Sequence, residues 1–308
     1  MNAITRRAAM VGLGLSLLSA PFLGAAPARV AAQATFECPA PAAAAASPAA
    51  SATAAAAEAT PMAMDAEFPA DGGELTVFAA ASLTDAFGTI KTDLEKEHPG
   101  LSITYNFAGS QALVTQLGEG AEADVFASAN KTQMKAAQEQ DLIAGSPEVF
   151  VNNELVIVTP ADNPAGIDSP DDLGQAGVRL VLAQADVPVG KYAREAVCGM
   201  SQDTATFGDD FVGRVAANVV SEEEDVRAVL TKVELGEADA GIVYVSDAFV
   251  SGDKVQQVEI PADENIIASY PIATVSGGDE ALGDAFISYV LSDDGQSTLA
   301  DYGFEPVS

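Results

Sequence analysis

The chain has 308 residues, 48% of them hydrophobic, enough to bury the core of one large domain or two modest ones. It carries 14 Lys and Arg against 45 Asp and Glu, a formal net charge of −31. So acidic a surface repels nucleic acid and anionic membranes, so no nucleic-acid partner is expected and any bound anion must be held by local donors.

In chain order, Arg6 and Arg7 precede an apolar run over 8–26, and Ala32-Gln33-Ala34 follows as a small-x-small cleavage site. This order predicts a signal peptide over 1–34 and an exported protein. The paired arginines point to the twin-arginine route, although Ala9 stands where a bulky residue is usual, which leaves the general secretory route open. An uncut membrane anchor is the other reading, and Pro21 and the run's length argue against it. Residues 35–72 are mostly Ala, Pro, Ser and Thr, with Pro39, Pro41, Pro48 and Pro61 breaking any long helix. They read as a disordered tether. Cys38 and Cys198 fit an exported protein that forms one disulfide or leaves two free thiols. The lone histidine, His98, and the absence of any CxxC pair exclude the usual zinc sites.

From Gly73 the pattern alternates. Strands are predicted over 74–79, 102–107, 124–127, 154–159, 178–182, 217–220, 240–245, 255–260 and 272–275. Helices are predicted over 83–97, 111–117, 132–140, 191–197, 225–235, 279–291 and 295–302. Leu83, Phe87, Ile90 and Leu94 mark one face of the first helix, and His98-Pro99-Gly100 stops it. The alternation predicts an α/β protein with mainly parallel sheets, and its length predicts two lobes. The expected division is 73–157 for the first lobe, 158–269 for the second, and 270–308 for the return to the first.

Four strand-to-helix junctions present free backbone N–H groups and the positive end of a helix: Ala81-Ser82, Gly109-Ser110, Pro188-Val189-Gly190 and Asp225-Val226-Arg227. Each has an ordinary explanation. Ser82 with Asp85 three residues on looks like a capping box, Ser110 like a cap, and Pro188 like a plain helix start. Asp225 reads as an acidic first turn, Tyr244 as a strand tyrosine with a satisfied hydroxyl, and Arg227 and Lys191 as solvent-facing charges.

Taken together and in order, FAAASLT, FAGS, GAEADVFASA, DVPVGKYAREA, EEDVRAVL and GIVYVSDA resemble the periplasmic molybdate-binding proteins of ABC importers. The resemblance runs from about residue 74 to 304. It implies a two-lobed periplasmic-binding-protein fold with a tetrahedral oxyanion in the interlobe cleft. It also implies ligand contacts from the hydroxyls and N–H groups of Ser82 and Ser110, the N–H groups of Val189 and Val226, and the hydroxyl of Tyr244. It implies molybdate or tungstate as ligand, no cofactor, molybdenum only as the oxyanion, a membrane permease as partner, and a monomer. Two departures stand out. Val189 replaces the commoner alanine of the Pro-x-Gly turn, and Gly109 stands where serine is common. Sulfate and phosphate remain alternative ligands. No GxSxG, P-loop or HExxH motif supports an enzyme, and nothing spaces the carboxylates as a catalytic pair.

Overall fold

A computed structural model describes residues 36–38 and 68–307. The expected signal peptide, 1–34, and residues 35 and 39–67 of the expected tether lie outside the described residues. Ten strands form two five-stranded sheets.

The first sheet contains β1 (Gly73–Ala80), β2 (Leu101–Ala108), β3 (Val125–Ala127) and β4 (Glu148–Asn153). Its helices are α1 (Thr84–Glu97), α2 (Ser110–Gly118) and α3 (Lys131–Glu139). The second sheet contains β5 (Leu155–Pro160), β6 (Leu180–Ala183), β7 (Val219–Glu223), β8 (Ala240–Tyr244) and β9 (Val255–Glu259). Its helices are α4 (Pro188–Met200), α5 (Thr204–Phe207), α6 (Phe211–Asn218), α7 (Val226–Glu234) and α8 (Val245–Ser251). β10 (Ala268–Thr274) then returns to the first sheet, followed by α9 (Glu280–Leu291) and α10 (Asp293–Asp301).

The strand orders are β2-β1-β3-β10-β4 and β7-β6-β8-β5-β9. In each sheet a single strand runs against the others: β10 is antiparallel to β3 and β4, and β5 to β8 and β9. The reversed strands are the two that have just crossed from the other lobe. The sheets are therefore mainly parallel, with one inserted strand each. The crossings fall at Asn153–Leu155 and between Glu259 and Ala268. The outward crossing is three residues earlier than the expected 157/158 boundary, because all of β5 pairs in the second sheet.

Alternation along β1 buries both faces. Leu75, Val77 and Ala79 enter a large core that runs through both lobes, while Phe78 joins Leu113, Val114, Leu117 and Met134 under α2 and α3. The interior is almost wholly aliphatic and aromatic, so it sets strand faces strongly and strand direction only weakly.

Five elements depart from the sequence reading. β4, α5, α6 and α8 were not expected, and the strand expected over 217–220 starts at Val219, after α6. The tether is also docked at both of its described ends. Phe36 packs against the large core with the Arg194 guanidinium 5.6 Å above its ring, and buried Phe68 meets the His98 ring at 4.6 Å. Cys38 pairs with Cys198 of α4, the Cα atoms 5.3 Å apart. The bridge closes a loop of sequence separation 160. Loop-entropy arithmetic gives such a bridge up to about 5 kcal/mol, and removing a native disulfide costs about 2–5 kcal/mol. Reduction with dithiothreitol should therefore lower the melting temperature by about 5–15 °C, since 1 kcal/mol corresponds to about 2–4 °C at this size. A calorimetric scan of reduced and oxidised protein reads this directly.

Candidate functional site

The five residues singled out from sequence come from five separate segments, and all five line one cavity. Ser82 and Ser110 stand on the first-lobe side, and Val189, Val226 and Tyr244 on the second. Ala80, Ala81, Ala108 and Ala129 also line it, with Gly109, Val187, Pro188 and Asp225, and the space between them is about 210 Å³ counting the solvent open at its mouth. The alanines keep the wall apolar and leave room between the polar groups.

The junctions explain how the donors are presented. β1 ends into a short 3-10 turn, Ala81–Leu83, before α1 begins. Ser82 therefore sits inside the turn and does not cap α1, whose cap position is Leu83 with no side-chain bond. This corrects the capping-box reading. The Ser82 hydroxyl is buried and meets the Tyr270 hydroxyl at 2.9 Å. Ser110 is the first residue of α2 and does not cap it either; its Oγ accepts from the Ala129 N–H at 3.0 Å. Val189 and Val226 occupy the first turns of α4 and α7, where backbone N–H groups have no intrahelical acceptor. Asp225 is the side-chain cap of α7, accepting from the Ala228 N–H at 3.0 Å.

Tyr244 closes β8 and is fully buried. Its hydroxyl has no hydrogen-bond partner among the described residues. Burial, reinforced by the neighbouring Tyr270, holds this phenol well above its ordinary pKa, so it is a neutral donor at physiological pH. An unpaired buried hydroxyl costs about 1–3 kcal/mol, which marks the position as one shaped for something other than folding.

The two departures from the family pattern have physical readings. The Val189 side chain packs into the large core while the residue lines the cavity. A Cβ on Gly109 would lie 2.5 Å from the Glu224 carbonyl oxygen across the cleft and as close to Gln111. The glycine thus lets the two backbones approach across the cleft, and Gln111 donates to that same carbonyl at 3.0 Å. A serine does not fit this arrangement.

Arg227 was read as solvent-facing, and the structure places it elsewhere. Its guanidinium lies 2.7 Å from Asp85 of the first lobe and 2.7 Å from buried Asp247 of the second. Sequence reasoning missed it because both carboxylates are distant in the chain. Lys191 does face solvent, paired with Glu195. Also missed were Tyr270 and Asn153, which no local motif marks. Among the described residues no group of three or more His, Cys, Asp or Glu is placed to hold a metal, and no helix is long and apolar enough to cross a membrane.

Burial pushes the Asp247 carboxyl up to about 6 against the pull of Arg227, with Asp225 and Asp85 adding to the rise. A raised folded-state pKa means that the folded form binds the proton more tightly than the unfolded one. This contribution to stability is complete below about pH 4 and is lost as pH climbs to about 6, by about 3 kcal/mol in all. Asp247→Asn should remove that loss. Urea unfolding at pH 4 and pH 7 should show the variant gaining on wild type by about that amount at the higher pH.

The fold and cavity define a two-lobed binder with its site between the lobes. Residues 75–305 match the bacterial extracellular solute-binding protein family. The molybdate-binding protein ModA of Mycobacterium tuberculosis is 40% identical over 238 residues, which cover 77% of this chain and 86% of that protein. ModA of Haemophilus influenzae is 35% identical over 243 residues, covering 76% and 91%. The solved periplasmic molybdate-binding protein of Azotobacter vinelandii superposes with a TM-score of 0.65 over 76% of this chain and all of that one, at 16% identity, a likeness of fold. The chain belongs to the bacterial extracellular solute-binding proteins. Its business is extracytoplasmic solute capture, not catalysis.

Proposed function

We propose that the protein captures molybdate, and tungstate as well, and delivers it to the membrane permease of an ABC importer. The observation that carries this reading is the buried Tyr244 hydroxyl, unpaired at a cavity that it shares with Ser82, Ser110, Val189 and Val226. A tetrahedral dianion offers acceptors on every side and would satisfy hydroxyls and N–H groups from both lobes at once. Hydrogen bonds from neutral donors to a charged acceptor contribute about 1.5–3 kcal/mol each. Helix N-termini add favourable field without a lysine or arginine in the cavity. Such an anion would stabilise the closed arrangement, with the crossings before β5 and β10 as the hinge. The names of the relatives support molybdate over sulfate or phosphate. Export by the twin-arginine route and a monomeric state complete the reading.

Calorimetric titration with molybdate, tungstate, sulfate and phosphate tests it. Molybdate and tungstate should bind with sub-micromolar affinity, and sulfate at least about a hundredfold more weakly, a gap of about 2.8 kcal/mol. Equal binding of sulfate removes the argument that cavity size selects the larger oxyanions.

The Tyr244→Phe variant separates ligand contact from structural role. Its molybdate affinity should fall about ten- to a hundred-and-fiftyfold. Its ligand-free melting temperature should hold or rise, because the variant no longer buries an unpaired hydroxyl.

A further inference from the structure

Behind Ser82, on the side away from the cavity, lies a buried polar chain. Tyr270 of β10 is completely buried and does not line the cavity. Its hydroxyl meets Ser82 Oγ at 2.9 Å and lies 3.4 Å from Asn153 Nδ2. Asn153 sits at the outward crossing and Tyr270 on the strand that follows the return, so the chain joins both connections between the lobes.

The direction of this chain follows from donor accounting. Asn153 Oδ1 accepts from two backbone N–H groups, Glu154 at 3.0 Å and Ser246 at 3.5 Å. Backbone N–H groups only donate, so they fix which end of the amide is oxygen. The amide nitrogen must then point the other way, to Ser246 Oγ at 2.8 Å and to the Tyr270 hydroxyl. Asn153 therefore donates to Tyr270. Burial keeps the Tyr270 phenol above its ordinary pKa, so it holds its own proton. Either hydroxyl of the Tyr270–Ser82 pair can donate, and the bond that Tyr270 already accepts from Asn153 favours Tyr270 as the donor to Ser82 Oγ. With its oxygen engaged from behind, Ser82 is left with its hydrogen to give to the cavity.

We infer that Tyr270, oriented by Asn153, is a positioning residue that holds the Ser82 hydroxyl as a donor toward the bound oxyanion. Each donor in the series Asn153, Tyr270, Ser82 polarises the next, so the last bond, to a charged oxygen, gains most. Ser110 is treated in the same way by a backbone group, since its Oγ accepts from the Ala129 N–H. The two first-lobe serines thus face the cavity with their acceptor sides already engaged. This inference rests on the oxyanion-binding reading above and deepens it by naming a residue outside the cavity that sets the strength of one contact.

The test is a double-mutant cycle of Tyr270→Phe and Ser82→Gly, read by calorimetry with molybdate, tungstate and sulfate. Tyr270→Phe keeps the ring and removes only the hydroxyl. In the wild-type background it should weaken binding of the tightest of the three anions by about tenfold. In the Ser82→Gly background the same change should weaken it less than twofold, because the hydroxyl it serves is gone. A Tyr270→Phe variant with wild-type affinity overturns the inference, and so does an equal loss in both backgrounds, which is what a purely structural role gives. If wild type binds none of the three anions, the functional reading fails and this inference fails with it. If wild type binds and the cycle is additive, the inference alone fails.

Discussion

The structure depends on one constraint: a cavity whose donors are neutral hydroxyls and N–H groups, with no lysine or arginine in its lining and with Asp225 accepting from the Ala228 N–H, inside a chain of formal net charge −31. The long-range field opposes an anion, so any affinity must come from contacts a few ångströms long. Neutral hydroxyls and N–H groups at helix starts meet that need, because their dipoles are fixed by the fold before the ligand arrives. The alanine wall follows from the same constraint. Larger side chains would fill the cavity, and polar ones would compete for the donors.

The architecture supplies what the cavity requires. Four strands of each sheet run the same way, so the junctions at their ends gather on one edge, where helix starts can face each other across the cleft. The reversed strands β5 and β10 are the cost of linking two such sheets with one chain twice. They also place Asn153 and Tyr270 side by side, so the connections between the lobes touch the same network as the site. Contacts across the mouth come from Gln111, Gln133 and Arg227, each reaching from one lobe to the other.

Much of the site was legible because its residues sit in strand-to-helix junctions that are local in sequence. FAAASLT and GIVYVSDA each carry a strand, a stop and a helix start within a few residues. The roles of those residues were less legible. Ser82 looked like a cap because Asp85 follows at the right spacing, but a 3-10 turn displaces the helix start beyond it. Tyr270 lies 188 residues from Ser82, and no spacing rule relates them. Arg227 looked solvated because its two carboxylate partners belong to other elements. β4 was missed because its burial does not alternate cleanly, and α8 because it begins directly at the end of β8 with no glycine or proline between. Strand reversal in β5 and β10 has no local signature, since pleating and side-chain alternation are the same in either direction.

The bridge between Cys38 and Cys198 has a consequence for where the molecule reaches its finished form. Cytosolic thiols are kept reduced, and such pairs persist in oxidising compartments. Cys198 lies on α4, the helix whose first turn carries Val189. One turn before Cys198, Arg194 ties that same helix to the end of β6 through Ala183 and sits over Phe36, two residues from Cys38. Until that pair is oxidised, the second-lobe wall of the cavity lacks this clasp. Oxidation after export adds the clasp, so the compartment itself acts as the final step of maturation.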